Sequence, residues 1–279
     1  MRALLPRVAL GISRHPIRII VESGVAFAAL WTLLEPIVAF LQVNVTGWPK
    51  FVALVFAALI VGIWRALPAD EQTVALPGST TKLTIKYGDI LAERGMIAVP
   101  VNEYFDSAIG AHISPHSVHG QVIASTFGGD SRVFDNAVDA ALVGVPFESV
   151  SRSSGRSRRY AAGTTAYLQA GQPSVLAFVL TTTDLSTLKV SADLPQMWEA
   201  LRGLWQAARV HCNDRPLAVP LVGGGLSGVG LSAQQLLSTL VMSLAAETRQ
   251  KRICGHIHVC LLPSVRSETN IEAALQLLR

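Results

Sequence analysis

The sequence predicts an α/β protein in two parts: an N-terminal hairpin of two transmembrane helices, then a three-layer α/β domain. Three observations carry this prediction. Two apolar runs, 19–41 and 51–64, lie side by side near the N-terminus with a short polar turn between them. From Lys82 onward strand-like and helix-like patterns alternate over roughly 200 residues, as expected when helices pack on a central sheet. One strand-like run, Leu217 to Val222, feeds a glycine-rich turn and then a helix start.

Composition supports the membrane part. Half of the 279 residues are hydrophobic and only 15% are charged, against about 25% charged in soluble domains. The net charge of +4 is modest but bunched, at the N-terminus and in Arg152 to Arg159. Cys212, Cys254 and Cys260 show no CxxC spacing and read as reduced thiols of a cytosolic domain, not a zinc site or a disulfide framework.

The first residues carry Arg2, Arg7, Arg14 and Arg18 and no acid, which suits a basic segment lying on an anionic membrane face. The apolar material starts too late and runs too long for a cleaved signal peptide. The first run carries Glu22, Thr32 and Glu35 among its apolar residues. The second reaches spanning length when extended from Trp48 to Leu67, with Lys50 and Arg65 snorkelling. Arg14 and Arg18 before the first span and Arg65 after the second place both termini in the cytoplasm by the positive-inside rule. The expected location is therefore the cell inner membrane, with two passes. Glu35 next to Pro36 has two readings: a pore-lining or oligomer-contact carboxylate, or a residue near the outer interface, and the second is favoured. The expected division is 1–18 basic segment, 19–67 hairpin, 68–81 polar Pro/Gly/Thr-rich linker and 82–279 α/β domain.

Within that domain LTIKY alternates apolar and polar residues, and MIAVPV is a buried-strand run. Val118 to Thr126 fits either a helix or a strand. TTAYLQ and VLAFVLTTT read as consecutive strands turned at Gly171-Gln172-Pro173. Asp193 to His211 is helical: Met197, Leu201, Leu204, Trp205 and Ala208 recur every three to four residues, and Pro195 suits a first turn. A strand at His256 to Leu262 and a helix at Ile271 to Leu278 close the chain.

The glycine turn, Gly223, Gly224, Gly225, Gly228 and Gly230, leads to a helix over Leu231 to Thr248, whose start Ser232 and Gln235 cap reciprocally. Glycines permit close backbone approach, and free N–H groups at a helix start attract anions, so a phosphate or diphosphate is one natural guest. A tight turn without a ligand is the other reading. The pattern is neither a Walker A loop nor a Rossmann fingerprint.

Four pieces taken in order, Gly88-Asp89-Ile90, MIAVPVNEYFD ending its strand at Asn102, SVHGQVI and VPLVGGGLSG, resemble the macro domain, an ADP-ribose-binding module. The resemblance spans about residues 82 to 265 and, with the two N-terminal spans, is similar to the membrane-anchored macro-domain effectors of type II Thoeris antiphage systems. It implies a three-layer macro domain with a mixed central sheet. In it Asp89 would accept from the adenine amino group and Ile90 would offer its N–H. Gly223, Gly224, Gly225, Leu226, Ser227 and Gly228 would hold the diphosphate and distal ribose. Val118, His119 and Gly120 would form the facing phosphate loop, with Asn102 at the strand end. It implies no metal and no protein-bound cofactor. The ligand would be an ADP-ribose derivative, histidine-ADP-ribose, supplied by a TIR-domain partner, and binding would trigger homo-oligomerisation and membrane disruption.

The chain departs from that family in three places. Pro115, His116 and Ser117 stand where many members have glycines, Ser227 where many have an aromatic, and Glu103 follows a single asparagine. The first two changes suit a ligand larger than ADP-ribose. The third leaves hydrolase chemistry without its usual residues, so a membrane-tethered ADP-ribosyl hydrolase, with Asp89 or Glu103 as base, is the alternative to a non-enzymatic receptor. A passive anchor is a third reading. His112, His116 and His119 are spaced too loosely for a metal site, and His256 and His258 read as ordinary strand residues. The Arg152 to Arg159 loop could be a solvated loop, a lid over the diphosphate or a lipid attachment. Its charge is too local for nucleic acid.

Overall fold

Alternation along the central strands decides the layering. On the strand Met96–Asn102, Met96 and Ala98 face one apolar cluster while Ile97, Val99 and Val101 face another. A strand buried on both faces needs helices on both faces. The computed structural model describes residues 4–41, 47–169, 173–225 and 228–278. It divides into two compact units, one up to Asp70 and one from Glu71.

The first unit holds α1 (Leu4–Arg14), α2 (Pro16–Leu41) and α3 (Trp48–Arg65). Helices α2 and α3 are each long and apolar enough to cross a membrane. They pair where side chains are small: a Cβ on Gly62 would lie 2.0 Å from Ser23 Oγ, and Ala26 and Ala58 are buried at the same seam. Small residues let two helix backbones approach closely. Arg65 donates to Glu22 at 3.1 Å. Phe27 stacks on Trp31 and meets Phe51 edge-on. Outward, Ile20, Phe40, Phe56, Trp64 and other large apolar side chains are exposed. Glu35 is exposed and has no hydrogen-bond or ion-pair partner among the described residues.

The second unit runs β1 (Glu71–Ala75), β2 (Lys82–Tyr87), β3 (Met96–Asn102), α4 (Val118–Thr126), α5 (Ser131–Ala141), β4 (Glu148–Ser149), β5 (Arg158–Arg159), β6 (Thr165–Leu168), β7 (Ser174–Thr183), β8 (Val190–Ser191), α6 (Leu194–His211), β9 (Leu217–Pro220), α7 (Ala233–Gln250), β10 (His256–Leu261) and α8 (Ile271–Gln276). The main sheet is ordered β1-β2-β10-β9-β3-β7-β6, with β8 added to β7. Strands β2, β10, β9, β3 and β7 are mutually parallel, while β1 and β6 are antiparallel edges. This is a mixed sheet.

Helices α6, α7 and α8 cover one face and α4 and α5 the other. The Met and Trp stripe on α6 is core: Met197, Leu201, Leu204, Trp205 and Ala208 are fully buried, and Trp205 Nε1 donates to Ser243 on α7 at 2.9 Å. The expected capping box is present in both halves, with Gln235 N donating to Ser232 Oγ and Ser232 N to Gln235 Oε1. Val118 to Thr126 resolves as a helix. The turn expected at 171–173 lies mostly outside the described residues.

The stretch expected as a linker, 68–81, holds the edge strand β1. Its five residues pair in register with Lys82 to Lys86, and Thr73 and Thr84 share a hydroxyl hydrogen bond at 2.7 Å. Polar composition suggested a linker, but period-2 pairing with β2 decides the structure. The α/β unit accordingly begins near Glu71, not near residue 82.

Candidate ligand-binding site

Parallel strands all end at one edge of the sheet, and open α/β sheets bind ligands outside those carboxyl ends. The loops after β2, β3 and β9 leave from that edge. They carry Asp89 and Ile90, Asn102, and the glycine turn from Gly223. The start of α4, with Val118, His119 and Gly120, follows the loop after β3. The topology thus brings together pieces far apart in sequence.

After β2, Asp89 caps a short 3-10 turn: its Oδ1 accepts from Leu91 N at 2.9 Å. One carboxylate oxygen is used locally, and the side chain is exposed. Ile90 is buried in the core beneath.

After β9 the chain turns at Gly223, φ +84°. A Cβ there would lie 2.9 Å from both Leu236 and Val229, so an added methyl would have to displace their side chains. Gly225, φ +64°, differs: among the described residues nothing lies within 4 Å of where its Cβ would be. Gly224 meets only Leu236 at 3.7 Å, and Gly228 has φ +57°. The turn therefore has a packed root and an open crest. Leu226 and Ser227, also expected at this site, lie outside the described residues.

Ser117 caps α4, its Oγ accepting from Gly120 N at 3.0 Å. Gly120 is demanded by packing, since a Cβ would lie 2.3 Å from Ser114 O. The earlier amides of the first turn, at Val118 and His119, have no intrahelical acceptor by geometry. The His119 side chain turns into the core. It is buried against Phe134, ring centroids 5.1 Å apart, and its Nε2 has no partner among the described residues. Burial pushes its pKa down to about 4, opposed by the charge of Asp106, so the ring is neutral. His119 can offer a ligand only its amide. His116 is exposed and His112 partly so, so the three histidines do not share one environment.

After β3 the chain is held by a buried polar network that sequence reasoning missed. Asn102 Nδ2 donates to Asp106 Oδ2 at 2.9 Å and to Thr183 Oγ1 at 3.3 Å, while Asn102 Oδ1 accepts from Asp106 N at 3.0 Å. Asp106 receives Arg152 in a two-pronged pair at 3.0 and 2.9 Å, with side chains only 1% and 2% exposed. Arg156 N also donates to Asp106 at 2.8 Å, and the Arg152 guanidinium lies 3.8 Å from the Tyr104 ring centroid. Burial pushes the Asp106 carboxyl up, but Arg152, Arg156 N and Asn102 together hold it below the usual carboxylate range. Glu103 accepts from Thr183 N at 2.8 Å and Thr183 Oγ1 at 3.1 Å.

This network settles two arginines of the basic loop. Arg152 is a buried clamp, and Arg156 pairs with Asp135 and Asp139 on α5. Neither is a lipid contact. Sequence showed a run of positive charge, and the acids that pair with Arg152 and Arg156 lie 17 to 46 residues away. Gly163-Thr164-Thr165 starts β6, with Thr165 Oγ1 donating to Gly163 O, and offers that hydroxyl to no outside group.

A mixed eight-stranded sheet between two helical layers, with the loops after β2, β3 and β9 at one edge, is the macro-domain fold. Three solved structures of the Oceanobacillus iheyensis macrodomain share it. A single-residue mutant aligns at 13% identity and TM-score 0.51, covering 75% of this chain and 98% of that one. A mutant with ADPR aligns at 13% and 0.52, over 75% and 98%. The same macrodomain with ADP aligns at 12% and 0.50, over 75% and 96%. At such identity the likeness concerns the fold. No curated protein sequence matches the chain. The family model described as the macro domain of Thoeris protein ThsA matches residues 83–262, more than half of the chain, and the chain belongs to that family.

Proposed function

We propose that the chain is a membrane-bound receptor of antiphage defence whose macro domain binds an ADP-ribose-derived signal, histidine-ADP-ribose made by a TIR partner. The observation that carries this reading is the open crest of the glycine turn at Gly225, placed on the same sheet edge as Asp89, Asn102 and the free amides at the start of α4. Backbone N–H groups there can hold a diphosphate, and the free oxygen of Asp89 can accept from an adenine amino group. Family membership and the neighbour with ADPR support the ligand class.

Binding rather than hydrolysis is supported by the candidate bases. Asp89 caps its own turn and Glu103 is committed to Thr183. Neither stands as a free carboxylate over the glycine turn. In this proposal α2 and α3 anchor the protein in the cell inner membrane, and bound ligand favours an assembled state that disrupts the bilayer. A ligand shifts such an equilibrium only by its differential affinity for the two states.

The test is calorimetry on the detergent-solubilised chain with ADP-ribose and histidine-ADP-ribose, alongside particle size and leakage of reconstituted vesicles. Saturable binding with growth in size and leakage is the expected result. Absence of heat with every ADP-ribose derivative overturns the receptor reading. Tight binding with unchanged size and intact vesicles overturns the effector step alone, and turnover lost in Asn102→Ala would favour the hydrolase.

A further inference from the structure

A second cavity, of about 720 Å³, opens on the other side of β3 from the glycine turn, between the β7 end, the start of α6 and the segment flanking β4 and β5. That volume lies within the range of small-molecule sites. Two side chains lining it are buried yet incompletely matched. Glu103 is 2% exposed and accepts only from the amide and hydroxyl of Thr183, with no cation within ion-pair distance among the described residues. Tyr160 is 3% exposed and its hydroxyl has no hydrogen-bond partner among the described residues. A buried carboxylate compensated by neutral donors alone is costly, and a donor cation is the partner that relieves it best.

The rest of the lining has the same bias. Glu148 and Glu199 add two carboxylates to the lining, Arg159 being drawn to Glu148 at 3.4 Å and Arg202 pairing with Glu199 at 2.6 Å. Phe147 and Tyr160 supply aromatic faces, and the chain's own Arg158 guanidinium already sits 4.9 Å from the Phe147 centroid. Aromatic faces beside carboxylates select organic cations.

We infer that this cavity is a second ligand site, which takes a small organic cation of the ammonium, amidinium or guanidinium class, its N–H groups donating to Glu103 and to the Tyr160 oxygen. The site is chemically opposite to a diphosphate cradle, so it stands or falls independently of the ADP-ribose reading. Thr183 links the two: its hydroxyl accepts from Asn102 and donates to Glu103.

Benzamidinium, a flat monocation, and benzamide, its neutral near-isostere, are the probes, titrated into the full-length chain in detergent by calorimetry. Saturable binding of benzamidinium and none of benzamide is expected. Glu103→Gln should weaken benzamidinium at least about tenfold, the loss of a charge-assisted bond. Ala162→Trp, at an exposed lining position, should abolish binding by filling the space, and it decides the matter if Glu103→Gln fails to fold. Equal affinity for the two probes, no saturable binding of benzamidinium, or unaltered affinity in Ala162→Trp overturns the proposal.

Discussion

The turns after β3 and after β9 face the same sheet edge but are built on opposite principles. The first is fixed by side chains: Asn102, Asp106, Arg152 and Thr183 saturate one another below the surface. The second has few side chains to fix it. Its root at Gly223 is packed, but among the described residues nothing meets its crest at Gly225. One turn is therefore fixed by its own side chains, while the other presents an open backbone crest. Pre-organisation lowers the ordering cost of binding, and an open backbone crest leaves room for a guest. The contrast makes separable predictions.

The largest effect is expected from Asp106→Ala. It would strand Arg152 as a buried, unpaired cation and free Asn102. Removing one partner of a buried pair costs about 3–5 kcal/mol, so urea unfolding of the detergent-solubilised chain should shift to much lower midpoint. The paired change Asp106→Leu with Arg152→Met should recover much of that loss, because no charge remains buried. A loss below about 1 kcal/mol in Asp106→Ala would mean that the β3 turn is not held by this pair, and the contrast would lose its rigid half.

Acid should act on the same wall through His119. Its folded pKa of about 4 lies below the usual histidine value, so between these values the unfolded chain binds more protons than the folded one. Stability should therefore fall as pH drops from about 6.5 toward 4, by on the order of 3 kcal/mol in total. Asp106 adds to this at still lower pH: its depressed pKa gives stability that is present above the usual carboxylate value and lost as pH falls through the folded one. His119→Phe, which keeps the contact with Phe134, should flatten the dependence above pH 4. An unchanged slope in that variant would assign the acid loss elsewhere.

The open wall is tested by Gly225→Ala against Gly223→Ala. Both residues have positive φ, so each substitution carries a backbone cost of about 1–2 kcal/mol. Only Gly223→Ala also collides with Leu236 and Val229. Gly223→Ala should accordingly lose more stability. Gly225→Ala should stay folded and lose about tenfold or more in affinity for an ADP-ribose ligand, as its methyl occupies the guest's space. Equal affinity in Gly225→Ala and the parent would place the ligand away from this crest.

The same contrast explains what could be read in the sequence. The glycine turn was legible because its function resides in the backbone: a strand-like run, glycines and a capped helix start are local signals. The buried stripe of α6 and the parallel strands were legible through periodicity. The β3 clamp was not, since Asp106 and Arg152 are 46 residues apart and a charge run looks solvated until its acids are placed around it. The edge strand β1 was hidden by polar composition, because an edge strand needs only one partner. Helix α5 did carry a readable signal, Asp130 as N-cap with Phe134 and Val138 one turn apart on the buried face. Gly120 shows the limit of motif matching: its place in a phosphate loop was inferred from resemblance, whereas the carbonyl of Ser114 lies where its side chain would be.

The smallest effect tests whether the open wall relies on its helix. Ser232→Ala removes one half of the capping box and leaves Gln235 N without its side-chain acceptor. Loss of such a cap costs about 1 kcal/mol, an amount that the buried core of α7 can absorb without unfolding. If the crest depends on that helix start for its position, affinity for an ADP-ribose ligand should drop a few-fold while the rigid wall is untouched. Stability lowered with affinity unchanged would show instead that the cap secures α7 alone, and that the glycine turn is positioned by its packed root at Gly223.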